Sequence, residues 1–197
     1  MKRFPRLIAL LLTIAVSASA ATVDFESTTS GVYTELAFAD FTITAQGGKA
    51  FDVVPASPGF PIVGQALITF FSSPGITPLT ATFSLAGVTS FSIGVGDFNQ
   101  DIDNTYLKVY DASWNLLASD YYQNPAIVEG GDYLSVTTTE SIKYAVFHDE
   151  EPFAGAVYWD NITYSTNTRS VPENASSMLL VAMGLGMMAV IKRKRIS

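Results

Sequence analysis

The sequence predicts an all-β, antiparallel sandwich carried between two targeting ends, and three observations predict the sandwich. Apolar and hydroxyl side chains alternate without a break in Leu79-Thr80-Ala81-Thr82-Phe83-Ser84-Leu85, the pattern of a sheet with one buried face. Proline and glycine punctuate the chain at Pro55, Pro58-Gly59, Pro61, Pro74-Gly75, Pro78, Pro125 and Gly130-Gly131, where turns are expected. No amphipathic helical stretch longer than two turns lies between the ends. About ten short strands with turns every 8 to 12 residues are the signature of a sandwich or barrel.

At the start, Lys2, Arg3 and Arg6 precede an apolar run from Leu7 to Val16, and Ala18-Ser19-Ala20 follows. A positive region, a short apolar core and a small-x-small site make a signal peptide over residues 1–20, cleaved after Ala20. The run is too short for a bilayer, which needs about 20 apolar residues.

Residues 21–164 are the predicted β-sandwich domain. Phe41, Ile43 and Ala45 alternate with Thr42 and Thr44; Phe91, Ile93 and Val95 with Ser90, Ser92 and Gly94; Ile142, Tyr144 and Val146 with Lys143, Ala145 and Phe147. Residues 165–170 form a short polar linker. Over Ala21–Ser170 four basic residues (Lys49, Lys108, Lys143, Arg169) face 17 acidic ones, a formal charge of −13. Such a surface repels nucleic acid and anionic polymers, and it attracts divalent cations. Absence of cysteine excludes thiol catalysis and disulfides, and a single histidine, His148, excludes a histidine-rich zinc site.

The last part, 171–197, opens with Val171, Pro172 and Glu173. An apolar stretch from Ala175 to Ile191 follows, then the basic cluster Lys192, Arg193, Lys194 and Arg195. Seventeen helical residues reach roughly 25 Å, short of a hydrocarbon core about 30 Å thick, and snorkelling basic side chains make up the difference. Basic loops stay in the cytoplasm, so the body is translocated.

Three constellations in the body bear chemistry. Asp97, Asn99, Asp101 and Asp103, with Asn104, place oxygens at alternate positions, as calcium ligation requires, or make a solvated acidic hairpin tip. Ile102 and Lys108 occupy positions where an EF-hand needs glycine and glutamate. Trp114, Asn115, Tyr121 and Tyr122 offer flat rings and an amide in and beside a turn, suited to stacking on sugars, although aromatic rings also fill sandwich cores; Trp159, inside a strand, reads first as core. His148-Asp149-Glu150-Glu151 concentrates titratable groups before Pro152, either for hydrolysis by two carboxyl groups or as an exposed loop. No nucleophile elbow or phosphate-binding glycine loop is present, and a non-enzymatic protein is expected.

The tail, with its Pro172-Glu173 pair, short apolar segment and basic end, resembles the PEP-CTERM sorting signal of Gram-negative bacteria that secrete exopolysaccharide; Asn174 stands where a second proline is usual. The resemblance implies a transmembrane helix, processing by signal peptidase and an exosortase, an inner-membrane intermediate, and final residence on the cell surface or in the extracellular matrix. The body, from Val23-Asp24-Phe25-Glu26 to Tyr158-Trp159-Asp160-Asn161-Ile162, resembles the jelly-roll domains of PEP-CTERM cargo, which are similar to carbohydrate-binding modules. It implies adjacent first and last strands, so that Asp24, Glu26 and Asp160 share a structural calcium ion, with one face of the last strand carrying Tyr158, Asp160, Ile162 and Tyr164. The function expected on this basis is a glycan-associated component of the exopolysaccharide or biofilm matrix. The alternatives are a structural or adhesive surface protein and, third, a polysaccharide-acting enzyme.

Overall fold

The computed structural model of the protein describes residues 17–59, 61–97, 102–124, 131–150 and 157–168, the side chains of 17–19, 57–59, 97, 124 and 168 apart. In chain order the strands are β1 (Ser17–Val23), β2 (Gly31–Tyr33), β3 (Glu35–Ala37), β4 (Phe41–Ala45), β5 (Phe51–Gly59), β6 (Ile62–Ile68) and β7 (Leu79–Phe83). They continue with β8 (Val88–Asp97), β9 (Asp103–Tyr110), β10 (Leu116–Asn124), β11 (Gly131–Thr137), β12 (Tyr144–Glu150) and β13 (Val157–Thr168). A single 3-10 turn, Gln46–Gly48, separates β4 from β5.

Two antiparallel sheets result. The seven-stranded sheet runs β11-β8-β13-β6-β5-β2, with β1 also paired to β13, and the six-stranded sheet runs β10-β9-β12-β7-β4-β3. Strict alternation in β4, β7 and β9 sends every second side chain inward, so Phe41, Phe83, Leu107, Val109 and Phe147 meet Phe91, Ile93, Val95, Trp159 and Tyr164 in one buried core. Phe83 lies 5.3 Å from Tyr164 and Phe147 lies 5.2 Å from Trp159, centroid to centroid, so aromatic rings bridge the two sheets. Such pairs add about 0.5–1.5 kcal/mol each beyond the area they bury. At one side Asp120 of β10 accepts a hydrogen bond from the Ser135 backbone of β11 at 2.8 Å, and at the other Thr34 alone joins β2 to β3. The edges of the two sheets are thereby tied together, which limits the open backbone a sandwich presents.

The predicted alternating runs are strands, with two shorter than their pattern. The run from Leu79 ends at Phe83 because Ser84 turns to hydrogen-bond Asp40. Ile142 precedes β12, its amide held by the Val88 carbonyl. The segment 165–170 is not a linker in its first part, since β13 continues to Thr168 by pairing Ser165 with Ser90 and Thr166 with Val88.

The last strand also corrects an expectation. A bulge between Asp160 and Thr163, with Asn161 at φ 50°, reverses the alternation, so Tyr158 packs with Ala56, Ile62, Ala66 and Ile68 on the outer side while Ile162 and Tyr164 enter the core. The four residues expected on one face are split because an extra residue in one strand moves everything after it to the opposite side.

Ala18–Asn167 makes up one compact unit, and the other, Met1–Ser17 with Thr168–Ser197, lies almost wholly outside the described residues. The apolar part of the signal peptide, the sorting motif Val171-Pro172-Glu173, the expected transmembrane helix and the basic tail fall there. Among the described residues no helix is long and apolar enough to cross a membrane.

Candidate functional site

The outer face of the six-stranded sheet is aromatic where β10, β9 and β12 meet. Alternation along β9 leaves Asn104, Tyr106, Lys108 and Tyr110 half-exposed, with their neighbours buried. Strand register then sets Tyr121 and His148 on either side of Tyr106, Ser119 and Val146 beside Lys108, and Tyr144 beside Tyr110. Two ring clusters follow. In the first, Tyr106 lies 4.9 Å from Tyr121 and stacks on His148 at 5.5 Å. In the second, Trp114 stacks on Tyr144 at 4.0 Å and lies 5.4 Å from Tyr110.

The β9–β10 turn is built to present Trp114. Asp111 accepts hydrogen bonds from the backbones of Ser113 and Asn115 and from the Asn115 side-chain amide, at 2.8, 2.9 and 2.8 Å. The Asn115 amide, its backbone and that of Ser113 hold the Asp111 carboxyl below its usual range. This clamp keeps Trp114 at φ 63°, a left-handed conformation that is unfavourable for a bulky residue. The conformation persists because the hydrogen bonds of the turn over-determine it, and Trp114 is 53% exposed in spite of its stacking.

Polar groups frame the first cluster. The Tyr121 hydroxyl and the Gln123 amide both donate to Asn104 Oδ1, at 2.8 and 2.9 Å, and His148 Nε2 lies 3.2 Å from Glu150 Oε1. Desolvation, then the charge of Glu150 and the neighbouring Tyr121, raise the pKa of Tyr106, so its hydroxyl stays a donor. Flat rings with donors and acceptors at their margins can stack on sugar faces and hydrogen-bond hydroxyl groups.

A second cluster lies on the outer side of the seven-stranded sheet. Phe25, buried at φ 57°, separates Asp24 from Glu26 just beyond β1. Glu26 accepts from the Gln65 backbone at 3.1 Å, and its carboxylate lies against Gly64, whose φ of 86° suits glycine. Fully buried Asp160 accepts from the Asn161 backbone at 2.6 Å and from Val63 at 3.4 Å. Its pKa is pushed up to about 7, first by burial, with the charges of Glu26 and Asp24 adding to the effect against the hydrogen bonds from Asn161 and Val63. The three residues expected to share calcium are thus brought into one electrostatic neighbourhood. The oxygen chemistry suits a hard cation, yet among the described residues no three carboxylate or imidazole groups stand close enough to hold a metal ion.

The sequence matches no protein-family model and no curated protein. Among solved structures, the K2 cleaved adhesin domain of Lys-gingipain superposes with a TM-score of 0.51 at 13% identity, covering 74% of this chain and 99% of that one. TmCBM61 in complex with β-1,4-galactotriose gives 0.41 at 17% identity over 73% of this chain and 90% of that one. A family 6 carbohydrate-binding module gives 0.38 at 14% identity over 74% and 93%. At these identities the likeness to the first is one of fold.

Of the predicted sugar-contacting residues, Trp114 and Tyr121 lie on the aromatic face. Asn115 is spent on holding Asp111. Tyr122 is a correction: pairing with Thr105 turns it inward, half-buried against the core, because successive residues of a strand face opposite ways. In the other calcium candidate, Asn99, Asp101 and the Asp97 side chain lie outside the described residues, and Asp103 is fully buried at the start of β9. His148 and Glu150 face outward from β12, whereas Asp149 is buried on the opposite face; Glu151 lies outside the described residues. Sequence reasoning did not assemble Tyr106, Lys108, Tyr110, Tyr144 and His148 into a surface. The signal available was polar-tipped or aromatic residues at every second position of 104–110.

Proposed function

We propose that the protein is an exported, surface-sorted and non-enzymatic member of an exopolysaccharide or biofilm matrix, and that its jelly-roll-type sandwich binds polysaccharide on the outer face of β10, β9 and β12. Signal peptidase and an exosortase act on its two ends, and the carboxy-terminal segment holds it at the membrane before release. One observation carries the binding reading: two clusters of rings on a single sheet face, one of them containing a tryptophan fixed in a strained conformation and half open to solvent. An interior role does not account for that arrangement, since a buried ring needs no clamp of three hydrogen bonds to hold it outside. The non-enzymatic reading is supported by the opposite orientation of Asp149 and Glu150, which puts these two carboxyl groups on different faces of the sheet.

The test is a glycan array probed with the full chain in a non-glycosidic detergent, beside Trp114→Ala and Tyr121→Ala. Retention of specific glycans by the unaltered chain, lost in both variants at unchanged melting temperature, is the expected result. Absence of glycan binding, or binding indifferent to both substitutions, overturns the reading.

A further inference from the structure

The two ring clusters are separated by a cation. Lys108 lies midway between Tyr106 and Tyr110 on β9, flanked across the strands by Ser119 and Val146, so no ring covers it from either side. Tyr106 and Tyr110 are four residues apart, about 13 Å along a strand, a span for several sugar rings laid end to end. The Lys108 ammonium stands 5.8 Å from the centre of the Tyr106 ring.

Its surroundings differ from those of the other basic groups. Lys49 donates to the Thr77 hydroxyl and Lys143 to the Phe83 carbonyl. Among the described residues Lys108 has no carboxylate within ion-pair distance, and Glu150, the nearest acidic neighbour on β12, is engaged by His148. In a body whose formal charge of −13 repels anions elsewhere, Lys108 is, among the described residues, the cation of this face that no carboxylate or hydrogen bond engages, and it sits in the middle of the aromatic platform.

We infer that this face takes an acidic polysaccharide, with one uronic-acid carboxylate placed on Lys108 between the two ring clusters. The inference rests on the glycan-binding reading and specifies its ligand class. Rings stacked at both ends exclude water from the middle of the platform, where a charge-assisted hydrogen bond gains strength. The acidic surface beyond the platform repels further carboxylates of the chain and so favours a single register. A neutral polysaccharide offers the Lys108 ammonium only hydroxyl oxygens, which offset its desolvation less than a carboxylate does.

Titration calorimetry of the full chain in a non-glycosidic detergent tests this, with uronic-acid trisaccharides of the galacturonate, mannuronate and glucuronate types, each beside its methyl ester. Esterification keeps the ring faces and removes the charge. At least one acid should bind about tenfold or more tighter than its ester, as a charged hydrogen bond worth about 1.5–3 kcal/mol requires. Lys108→Gln should bind that pair equally, and Lys108→Arg should keep the preference. Equal affinity for every acid and its ester, or a preference that survives Lys108→Gln, overturns the inference. Neutral glycans lost on Trp114→Ala would in that case leave the glycan-binding reading in place. Failure of every charged and neutral glycan to bind removes both.

Discussion

The outer faces of the two sheets obey the same alternation and have opposite fates. On the six-stranded sheet, Trp114 and Tyr121 stand open to solvent, with Tyr106 and Tyr144 half-exposed beside them. On the seven-stranded sheet, Pro61 lies against Gly94 with its carbonyl accepting from the Asn161 amide at 2.6 Å, and Ile62, Ala66, Ile68 and Asp160 are fully buried on the outer side. The protein covers one face with its own chain and leaves the other available. A covered face registers substitution as lost stability, whereas an open aromatic face registers it as lost binding.

The largest expected effect lies on the covered face and depends on pH. Asp160 has its pKa pushed up to about 7 in the fold, against about 3.9 when unfolded. Between about pH 4 and pH 7 the folded state therefore holds a proton that the unfolded chain has released. The contribution of this group to stability is complete below pH 4, falls as pH rises, and levels off above pH 7, a swing on the order of 4 kcal/mol. Asp160→Asn should flatten that slope in melting curves and raise stability at pH 8; an unchanged slope would show that the carboxyl group is not desolvated. A calcium ion shared with Asp24 and Glu26 would act in reverse by holding Asp160 ionised. Melting with calcium and with a chelator tests that sharing: a calcium-dependent rise in stability at pH 8, lost in Asp160→Asn, is the outcome if the three carboxylates hold the ion.

Next in size, Ile62→Ala on the covered face should cost about 3 kcal/mol by chemical denaturation, within the range for deleting buried methyl groups. A cost below 1 kcal/mol would mean that the outer cluster of Ala56, Ile62, Ala66, Ile68 and Tyr158 is loosely packed. On the open face, Trp114→Gly should leave the melting temperature nearly unchanged, because glycine accepts the left-handed conformation that tryptophan resists. It should nevertheless weaken glycan binding by about 2 kcal/mol, the scale of a central aromatic contact; simultaneous loss of stability and binding would make the residue a structural one. The smallest effect belongs to Tyr121→Phe, which removes the hydrogen bond to Asn104 and should change affinity by about 1 kcal/mol with no change in fold.

Particular residues show how far the sequence could be read. The run Leu79–Phe83 declares both its strand and its buried side, since period-2 alternation has one reading when half the side chains are large and apolar. The turn carrying Trp114 was equally visible, because Asp, Ser and Asn within five residues form local hydrogen bonds. The bulge at Asn161 was not, and one extra residue there overturned the expected face of the last strand. Tyr106 and His148 are 42 positions apart, and nothing local announces that two strands align them.

The sequence by itself determined the strands, the sheet-forming character of the body and the marks at both ends, because each depends on neighbours along the chain. Tertiary structure decided which rings share a surface, which carboxylates lose their water and which sheet face stays open. Those outcomes depend on strand register and on the bulge in the last strand, and both are set by the packing of distant segments in a common core.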